Sequence, residues 1–406
     1  MSDVSAEQQV ATVTCPVCGN VVPVGAYCAA CGTHFTHDAE STSARRAHSY
    51  AAAPGESVLH LSVVSSLFPH LSHRSRGPFR IGLVAVVAAL LVLAALRLQA
   101  PAIAVSALGI PLLFQLYIYE ANLYDEEPLV ATLLTVGFGA VLGVGWSLLT
   151  SHYVTSASRL TLLGTGRSGS STHVLLASLV PAGSQLLMVV PVLVMWLLRR
   201  DRYRESMDGF VFGSASALGF VAAAVITDLA PELKAGARIH GATADLYVQT
   251  VIHGIALPIV AACATGLIGA ALWLQRKDGT TAPGRVFTLW PVALVVALAV
   301  QVGLGYTDVA TPGNAVVITA HLAAAAAYLV ALRVGLHHVL LHEAREVRIG
   351  PPRVCHHCHH VVPSAPFCPH CGAAEVASSR AARRQLSLDP NAEHPNVGDP
   401  TVEETS

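Results

Sequence analysis

Eight long apolar runs alternate with short polar segments along most of the chain. Each run has about 18 or more residues, the length at which a helix crosses roughly 30 Å of hydrocarbon. The pattern therefore predicts eight transmembrane helices, the first two joined by a tight turn. The runs lie near 79–96, 101–118, 129–150, 174–198, 209–229, 246–274, 286–306 and 314–334.

Composition supports the same class. Of the 406 residues, 53% are hydrophobic and 12% are charged, whereas a soluble domain has about 25% charged residues. The formal net charge of -1 argues against a polycation that binds nucleic acid. We therefore expect an integral membrane protein in contact with lipid, and the charge disfavours a nucleic-acid partner.

Basic residues predict the orientation, because cytoplasmic loops of membrane proteins are enriched in Lys and Arg. Most of the Lys and Arg residues near the predicted helices lie in four segments on one side of the membrane, and the loops on the opposite side contain few. The first 50 residues also lack the apolar segment of a secretory signal. We expect a multi-pass protein of the bacterial inner (plasma) membrane with both termini in the cytoplasm. The basic flanks contain Arg74, Arg76, Arg80, Arg199, Arg200, Arg202, Arg204, Arg276, Lys277, Arg285, Arg345, Arg348 and Arg353; the opposite loops contain Arg97, Arg159, Arg167, Lys234 and Arg238.

Eight of the nine cysteines form two copies of one motif. The stretch CPVCGNVVPVGAYCAACG begins at Cys15, and CHHCHHVVPSAPFCPHCG begins at Cys355. Each copy has two CxxC pairs nine residues apart, a spacing that lets four thiolates hold one tetrahedral zinc ion. We predict one structural zinc ion in each copy, two in all. The ligands are Cys15, Cys18, Cys28 and Cys31 in the first copy and Cys355, Cys358, Cys368 and Cys371 in the second.

A site of four thiolates has no open position, so these zinc ribbons are expected to be structural rather than catalytic. An interaction or assembly module is the favoured interpretation, with metal or redox sensing and nucleic-acid contact as alternatives. Sensing is suggested by the histidines crowding the second copy, which could compete as ligands or merely be exposed. They are His356, His357, His359, His360 and His370. The ninth cysteine, Cys263, lies in an apolar run and is expected to pack in the core.

The chain thus divides into an N-terminal ribbon (1–33), a linker (34–78), a membrane domain (79–335), a C-terminal ribbon (336–375) and a disordered tail (376–406). Residues 34–56 are polar and are also expected to be disordered. The following segment is either an in-plane interfacial helix or a structureless linker. The acidic residues Glu120, Asp125, Glu126 and Glu127 are expected to form a solvated turn rather than an active site.

Two stretches carry a resemblance to a known family. ANLYDEEPLVATLLTVGFGAVLG, which begins at residue 121, and MDGFVFGSASALGFVAAAVI, which begins at Met207, resemble the PrsW-type intramembrane metalloproteases. The likeness covers roughly residues 110–335. It implies the helical membrane fold of that family and cleavage of membrane-anchored regulatory proteins.

The same alignment shows departures at the positions that the resemblance makes catalytic. The family's glutamate pair falls on Ser184 and Gln185, its lysine on Met188, and its next glutamate on Ala224. A metalloprotease needs a carboxylate base and a metal with an open position. We therefore expect a PrsW-like core that lacks protease activity, with no catalytic residue assigned.

The histidines of the family pattern are retained only in part. Counted back from the Thr-Gly pair, the first falls on Pro258, and a shift of five residues recovers His253; the second matches His321. With Gln185 or Asp228 they could form an intramembrane metal or proton-relay site, or they could bond neighbouring helices as packing contacts.

The sequence therefore predicts an all-α polytopic membrane protein of about eight transmembrane helices with a small zinc-ribbon β-hairpin unit at each end. Its expected role is binding, scaffolding or sensing. The membrane core would recognise a membrane protein, while the ribbons would dock an unidentified cytosolic protein or each other. The alternative is an active intramembrane metalloprotease that uses His253 and His321.

Overall fold

A computed structural model describes most of the chain, in two compact units. The described residues within 1–60 and 341–406 form the ribbon unit, and those within 76–340 form the membrane unit. The described residues are 11–35, 41–50, 57–58, 76–120, 129–162, 171–198, 205–230, 248, 250–277, 289–310, 314–344, 347, 349–355 and 357–374.

The ribbon unit contains two small antiparallel hairpins, one from each end of the chain. Strands β1 (Thr12–Thr14) and β2 (Val21–Pro23) form the first hairpin. Strands β3 (Pro352–Val354) and β4 (Val361–Pro363) form the second, with the equivalent register. The predicted pair of β-hairpin ribbons is therefore confirmed.

A short helix, α1 (Thr42–Ala47), also belongs to this unit. The Ser41 hydroxyl caps its N-terminus by accepting from the Ala44 amide at 3.3 Å. The expectation of disorder over 34–56 is therefore wrong for residues 41–50. The chain after α1 is anchored, because the Tyr50 amide donates to Cys31 O at 2.7 Å and its ring packs on Phe367. The prediction rested on the low content of large apolar residues in this segment, and it therefore missed the contact made by the one aromatic residue, Tyr50.

Eight helices among the described residues of the membrane unit are long and apolar enough to cross a membrane, which confirms the predicted fold class. The sixth span begins with a π-helical segment (Ile252–Ala256) that leads into α7. The helices are α2 (Arg76–Ala95), α3 (Gln99–Glu120), α4 (Leu129–Leu162), α5 (Ser171–Leu198), α6 (Ser206–Asp228), α7 (Leu257–Lys277), α8 (Leu289–Ala310) and α9 (Asn314–Glu343).

Two helices extend well beyond their apolar runs. α4 continues to Leu162 and α9 to Glu343, although the runs end near 150 and 334. Neither extension contains a proline, so no residue in it removes a helical hydrogen bond. Hydrophobicity marks the part of a helix that suits hydrocarbon, and it carries no signal for where the helix itself ends.

Helix α6 lies at the centre of the membrane unit. In its span 83% of the residues are buried, against 17% in α2. The helices around it expose large apolar side chains such as Val84, Leu112 and Val141, as helices surrounded by lipid do. Residues 59–75 of the stretch predicted as an in-plane helix (58–80), the acidic residues 125–127 and the tail from 376 lie outside the described residues. Residues 76–80 of that stretch begin α2, and Glu120 is the last residue of α3.

Glycines allow α4 and α7 to approach α6 closely. A Cβ atom on Gly139 or Gly143 of α4 would overlap the carbonyl oxygen of Ser216 or Phe220 in α6. On the other side of α6, a Cβ atom on Gly213 would overlap the carbonyl oxygen of Thr265 in α7. Small residues four apart are a common device for packing membrane helices, because they let the backbones touch.

We predict that Gly143→Ala destabilises the membrane unit, whereas Gly145→Ala, two residues along the same helix and on a different side of it, does not. Nothing lies within 4 Å of a Cβ atom on Gly145, so there alanine only improves helix propensity, by up to about 1 kcal/mol. At Gly143 the overlap should cost about 1–3 kcal/mol. Thermal unfolding in detergent measures both effects, and equal behaviour of the two variants would contradict the close packing of α4 on α6.

Candidate metal centres and the polar residues of the membrane unit

Each pair of cysteines is held in a tight knuckle by backbone hydrogen bonds. In the first ribbon the Cys15 amide donates to Asn20 O and the Gly19 amide to Cys15 O, both at 2.9 Å. Gly19 has φ +76°, a left-handed conformation that glycine adopts without strain. His359 takes the equivalent place in the second ribbon with φ +58°. The turn therefore depends on the CxxC spacing more than on the residue at this position.

The four thiols of each ribbon surround one point. The Sγ atoms of Cys15 and Cys31 are 3.8 Å apart, as are those of Cys18 and Cys28. Four sulfurs placed tetrahedrally about 2.3 Å from a zinc ion are about 3.8 Å from one another. The second ribbon repeats these distances, with Cys355 and Cys371 at 3.8 Å and Cys358 and Cys368 at 3.8 Å. Both ribbons therefore fit a structural zinc ion, which confirms the prediction of two.

The close spacing of the four thiols in the first ribbon favours the binding of a cation. Hydrogen bonds from the thiols of Cys18, Cys28 and Cys31 lower the pKa of Cys15. Hydrogen bonding to Cys15 raises the pKa of Cys31. Four thiolates cannot all ionise side by side without a compensating charge. A zinc ion supplies that charge, and its binding displaces the remaining protons.

The two ribbons pack directly on each other through equivalent residues. The Tyr27 amide donates to Pro369 O at 3.0 Å, and the Phe367 amide donates to Ala29 O at 3.0 Å. Tyr27 and Phe367 occupy the same place in the repeat, and so do Ala29 and Pro369. The contact is therefore reciprocal, like the isologous interface of a two-fold dimer, although both halves belong to one chain.

The same symmetry governs the packing of aromatic rings on glycines. A Cβ atom on Gly32 would lie 2.6 Å from a ring carbon of Phe367, and a Cβ atom on Gly372 would lie 2.6 Å from a ring carbon of Tyr27. Both glycines have positive φ, +72° and +70°. Each ribbon thus requires glycine for the positive φ of its own knuckle. The lack of a side chain there also lets the aromatic ring of the other ribbon pack directly on the glycine backbone.

The chain that follows α9 also contacts the first ribbon. The Asn20 amide group donates to Ala344 O at 3.2 Å and to Val347 O at 2.9 Å. Ala344 is fully buried against the cysteines of that ribbon. The entry to the second ribbon is thereby fixed on the first, in addition to the direct ribbon contact.

Histidines of the second ribbon lie on its surface beside one knuckle. His357, His359, His360 and His370 are exposed, and His356 lies outside the described residues. The rings of His360 and His370 stack with their centroids 3.8 Å apart. The corresponding positions of the first ribbon hold Asn20 and Ala30.

In the membrane unit, Gln185 joins three helices. Its side chain is fully buried on α5. The Gln185 Nε2 group donates to Thr265 Oγ1 on α7 at 2.9 Å, and its Oε1 accepts from Gln301 Nε2 on α8 at 3.3 Å. The sequence did not single out Gln301, although a lone amide within an apolar run was a signal for such a contact. Gln185 therefore links α5 to α7 and α8 through side-chain hydrogen bonds.

The other three residues of the predicted polar site have different hydrogen-bond contacts, although the charges of both Asp228 and His321 act on His253. Asp228 of α6 accepts a hydrogen bond from the Ser147 hydroxyl of α4. His321 of α9 is buried, with Nδ1 3.0 Å from Val317 O and 3.7 Å from an oxygen of Asp308. His253 lies in the π-helical segment, and its buried Nδ1 atom has no hydrogen-bond partner in the part of the chain that the structure describes.

Among the described His, Cys, Asp and Glu residues, three groups bring at least three ligand atoms within 4.8 Å of one another, and all three groups lie in the ribbons. Neither His253 nor His321 belongs to such a group. Cys263, predicted to be a core residue, is buried at 2% exposure.

Comparisons of the chain with models of protein families, with curated proteins and with solved structures found no match.

We predict that replacing Cys15 and Cys18 together by serine removes one of the two zinc ions and unfolds the first ribbon. Folding of so small a unit depends on its metal, whose binding contributes about 10 kcal/mol or more. Cys263→Ser is the matched control and should leave both ions bound. Metal content of the purified protein measures the outcome; an unchanged zinc content in the double variant would contradict the assignment of these ligands.

The pairing of the ribbons gives a second prediction. Gly25 has ordinary backbone geometry, but a Cβ atom there would lie 2.6 Å from Pro369 O. Gly25→Val should therefore separate the ribbons and accelerate hydrogen exchange at the amides of both Tyr27 and Phe367, with zinc retained. Val24→Leu changes a neighbouring exposed residue and should leave the exchange slow. Fast exchange at both amides in the unmodified protein would refute the pairing.

Proposed function

We propose that this multi-pass zinc-ribbon protein is a scaffold of the bacterial inner membrane that binds a protein partner and has no protease activity. Its membrane unit is a PrsW-like core, and its paired ribbons dock a cytosolic or membrane protein. Support for the family comes from the motifs around Asp208-Gly209 and Gly219-Phe220. Both glycines lie where α6 touches its neighbours, which is a packing reason for these motifs to be present.

The observation that carries the proposal is the role of Gln185. This residue stands where the PrsW-type pattern has a catalytic glutamate, and here it bonds Thr265 and Gln301. An amide cannot take a proton from an attacking water, and both ends of this amide are already engaged. Ala224, at the next glutamate position, packs in a hydrophobic cluster of the core. The two positions thus serve helix packing.

Pairing of the ribbons supports a common compartment for both chain ends. An even number of spans returns a chain to the side from which it started, and the described residues contain eight candidate spans. Reduced thiols that bind zinc are typical of the cytosol, where disulfides rarely persist. The arginine-rich flanks point to the same side. We therefore place both ribbons in the cytoplasm.

The second candidate function is intramembrane proteolysis, which one observation favours. His253 is partly buried in a π-helical segment, and its buried Nδ1 atom has no hydrogen-bond partner among the described residues; such segments often occur at functional sites. A buried histidine is also a functional candidate in a membrane protein. Against it, His253 belongs to no group of three or more metal-ligand atoms within 4.8 Å of one another among the described residues.

The proposal is tested by restoring the glutamates with Ser184→Glu, Gln185→Glu and Ala224→Glu in one protein. Without metal ligands to compensate, burial of these groups should lower the free energy of unfolding by about 3 kcal/mol or more. Thermal unfolding and the zinc content after dialysis against a weak chelator give the readouts. A stable triple variant that retains an additional zinc ion would favour the protease instead.

The control is a double variant of the protein without the three glutamates, in which His253 and His321 are replaced by alanine. It should keep two zinc ions after the same dialysis, because the scaffold holds its metal only in the ribbons. Loss of a tightly held ion in that double variant would overturn the proposal.

A further inference from the structure

Three side chains of the second ribbon converge beside its zinc centre. Cys358 Sγ and one nitrogen each from His360 and His370 lie within 4.8 Å of one another. Cys358 is only partly buried, and both histidines are exposed. The group is thus open to solvent on one side and shares a sulfur with the closed four-cysteine site on the other.

The orientation of His360 suits a metal ligand. Its Nδ1 atom lies 2.9 Å from Cys358 O. A carbonyl oxygen can only accept, so Nδ1 carries the proton in this contact and Nε2 keeps its lone pair. Metal-bound histidines are commonly held in this way, with one nitrogen donating to a carbonyl and the other binding the ion. His370 stacks on this ring at 3.8 Å between centroids, which places a second imidazole beside the first.

The first ribbon shows that the fold does not need these histidines. It has the same knuckles and the same Sγ distances, yet Asn20 and Ala30 stand in place of His360 and His370. Its equivalent of Cys358, Cys18, is 2% exposed. The two ribbons therefore differ in one respect that bears on metal chemistry: only the second has an accessible thiolate with two imidazoles next to it.

We propose that Cys358, His360 and His370 form a second zinc site on the C-terminal ribbon, in which the Cys358 thiolate bridges to the structural ion. Four thiolates around one divalent ion leave a net negative charge, so a sulfur of such a centre can still attract a cation. One sulfur and two imidazole nitrogens are donors that zinc accepts, and water fills a fourth position. No bond to the structural ion has to break.

This site is weaker than the closed ones, because its ligands are exposed and its thiolate is shared. It fills when zinc is abundant and empties when zinc is scarce, while both structural ions stay bound. The ribbon pair thereby gains a metal response at its surface. The inference rests on the ribbon alone and stands or falls independently of whether the membrane unit is a scaffold or a protease.

The test uses the full-length protein in detergent, titrated with buffered free zinc. The informative variant combines His360→Asn with His370→Ala, which installs the residues of the first ribbon. The unmodified protein should bind three zinc ions at high free zinc and two after dialysis against a weak chelator. The variant should bind two under both conditions. Titration with Co²⁺ gives an independent signal, since a third ion bound through Cys358 adds sulfur-to-metal absorption that the variant lacks.

Two controls separate this site from other sources of zinc binding. His357→Ala removes an exposed histidine of the same ribbon that is outside the group and should retain the third ion. His253→Ala with His321→Ala should retain it too, which distinguishes it from a metal in the membrane unit. Retention of two tightly bound ions in every variant shows that the ribbons are folded. The proposal is overturned if the unmodified protein binds only two ions at high free zinc, or if the His360 and His370 variant still binds three.

Discussion

Close contact between helix backbones around α6 is the constraint on which the membrane unit depends. Hydrocarbon offers no hydrogen-bonding partners, so each span satisfies its backbone internally and the spans associate by packing rather than by escape from water. Gly143 of α4 and Gly213 of α6 permit this packing at backbone-to-backbone distance. A helix enclosed in this way needs few large side chains of its own, and α6 is correspondingly rich in glycine, alanine and serine.

The few polar residues of the spans are arranged by the same packing. Gln185 reaches Thr265 and Gln301 because α5, α7 and α8 meet where these side chains lie. Such a chain of hydrogen bonds offsets the cost of burying an amide in hydrocarbon. Four polar atoms of the spans are exceptions, since they are buried without a hydrogen-bond partner among the described residues: His253 Nδ1, Thr132 Oγ1, Trp196 Nε1 and Tyr328 OH.

The ribbons are stabilised in a different way from the membrane unit. They are too small to fold by apolar burial, and metal coordination takes its place. Duplication of the unit then allowed a contact that neither copy could make alone, with Tyr27 seated on Gly372 and Phe367 on Gly32. Because the contact is intramolecular, the two halves meet at a high effective concentration. It joins the first and the last parts of a membrane chain, and it leaves the histidines around Cys358 exposed on one copy only.

The sequence by itself determined the eight spans and the two zinc sites, because both depend on local pattern: apolar length in one case and CxxC spacing in the other. It missed the ends of α4 and α9, since hydropathy does not report where a helix stops, and it missed the ordering of residues 41–50, which depends on the ring of Tyr50 against Phe367. The family resemblance drawn from its motifs stays a prediction.

Only the tertiary structure decided that the ribbons pair with each other, that Gln185 is engaged by two helices, and that His360 and His370 converge on Cys358. These are contacts between residues brought together by folding, and their geometry follows from how helices and hairpins pack rather than from any local pattern in the chain.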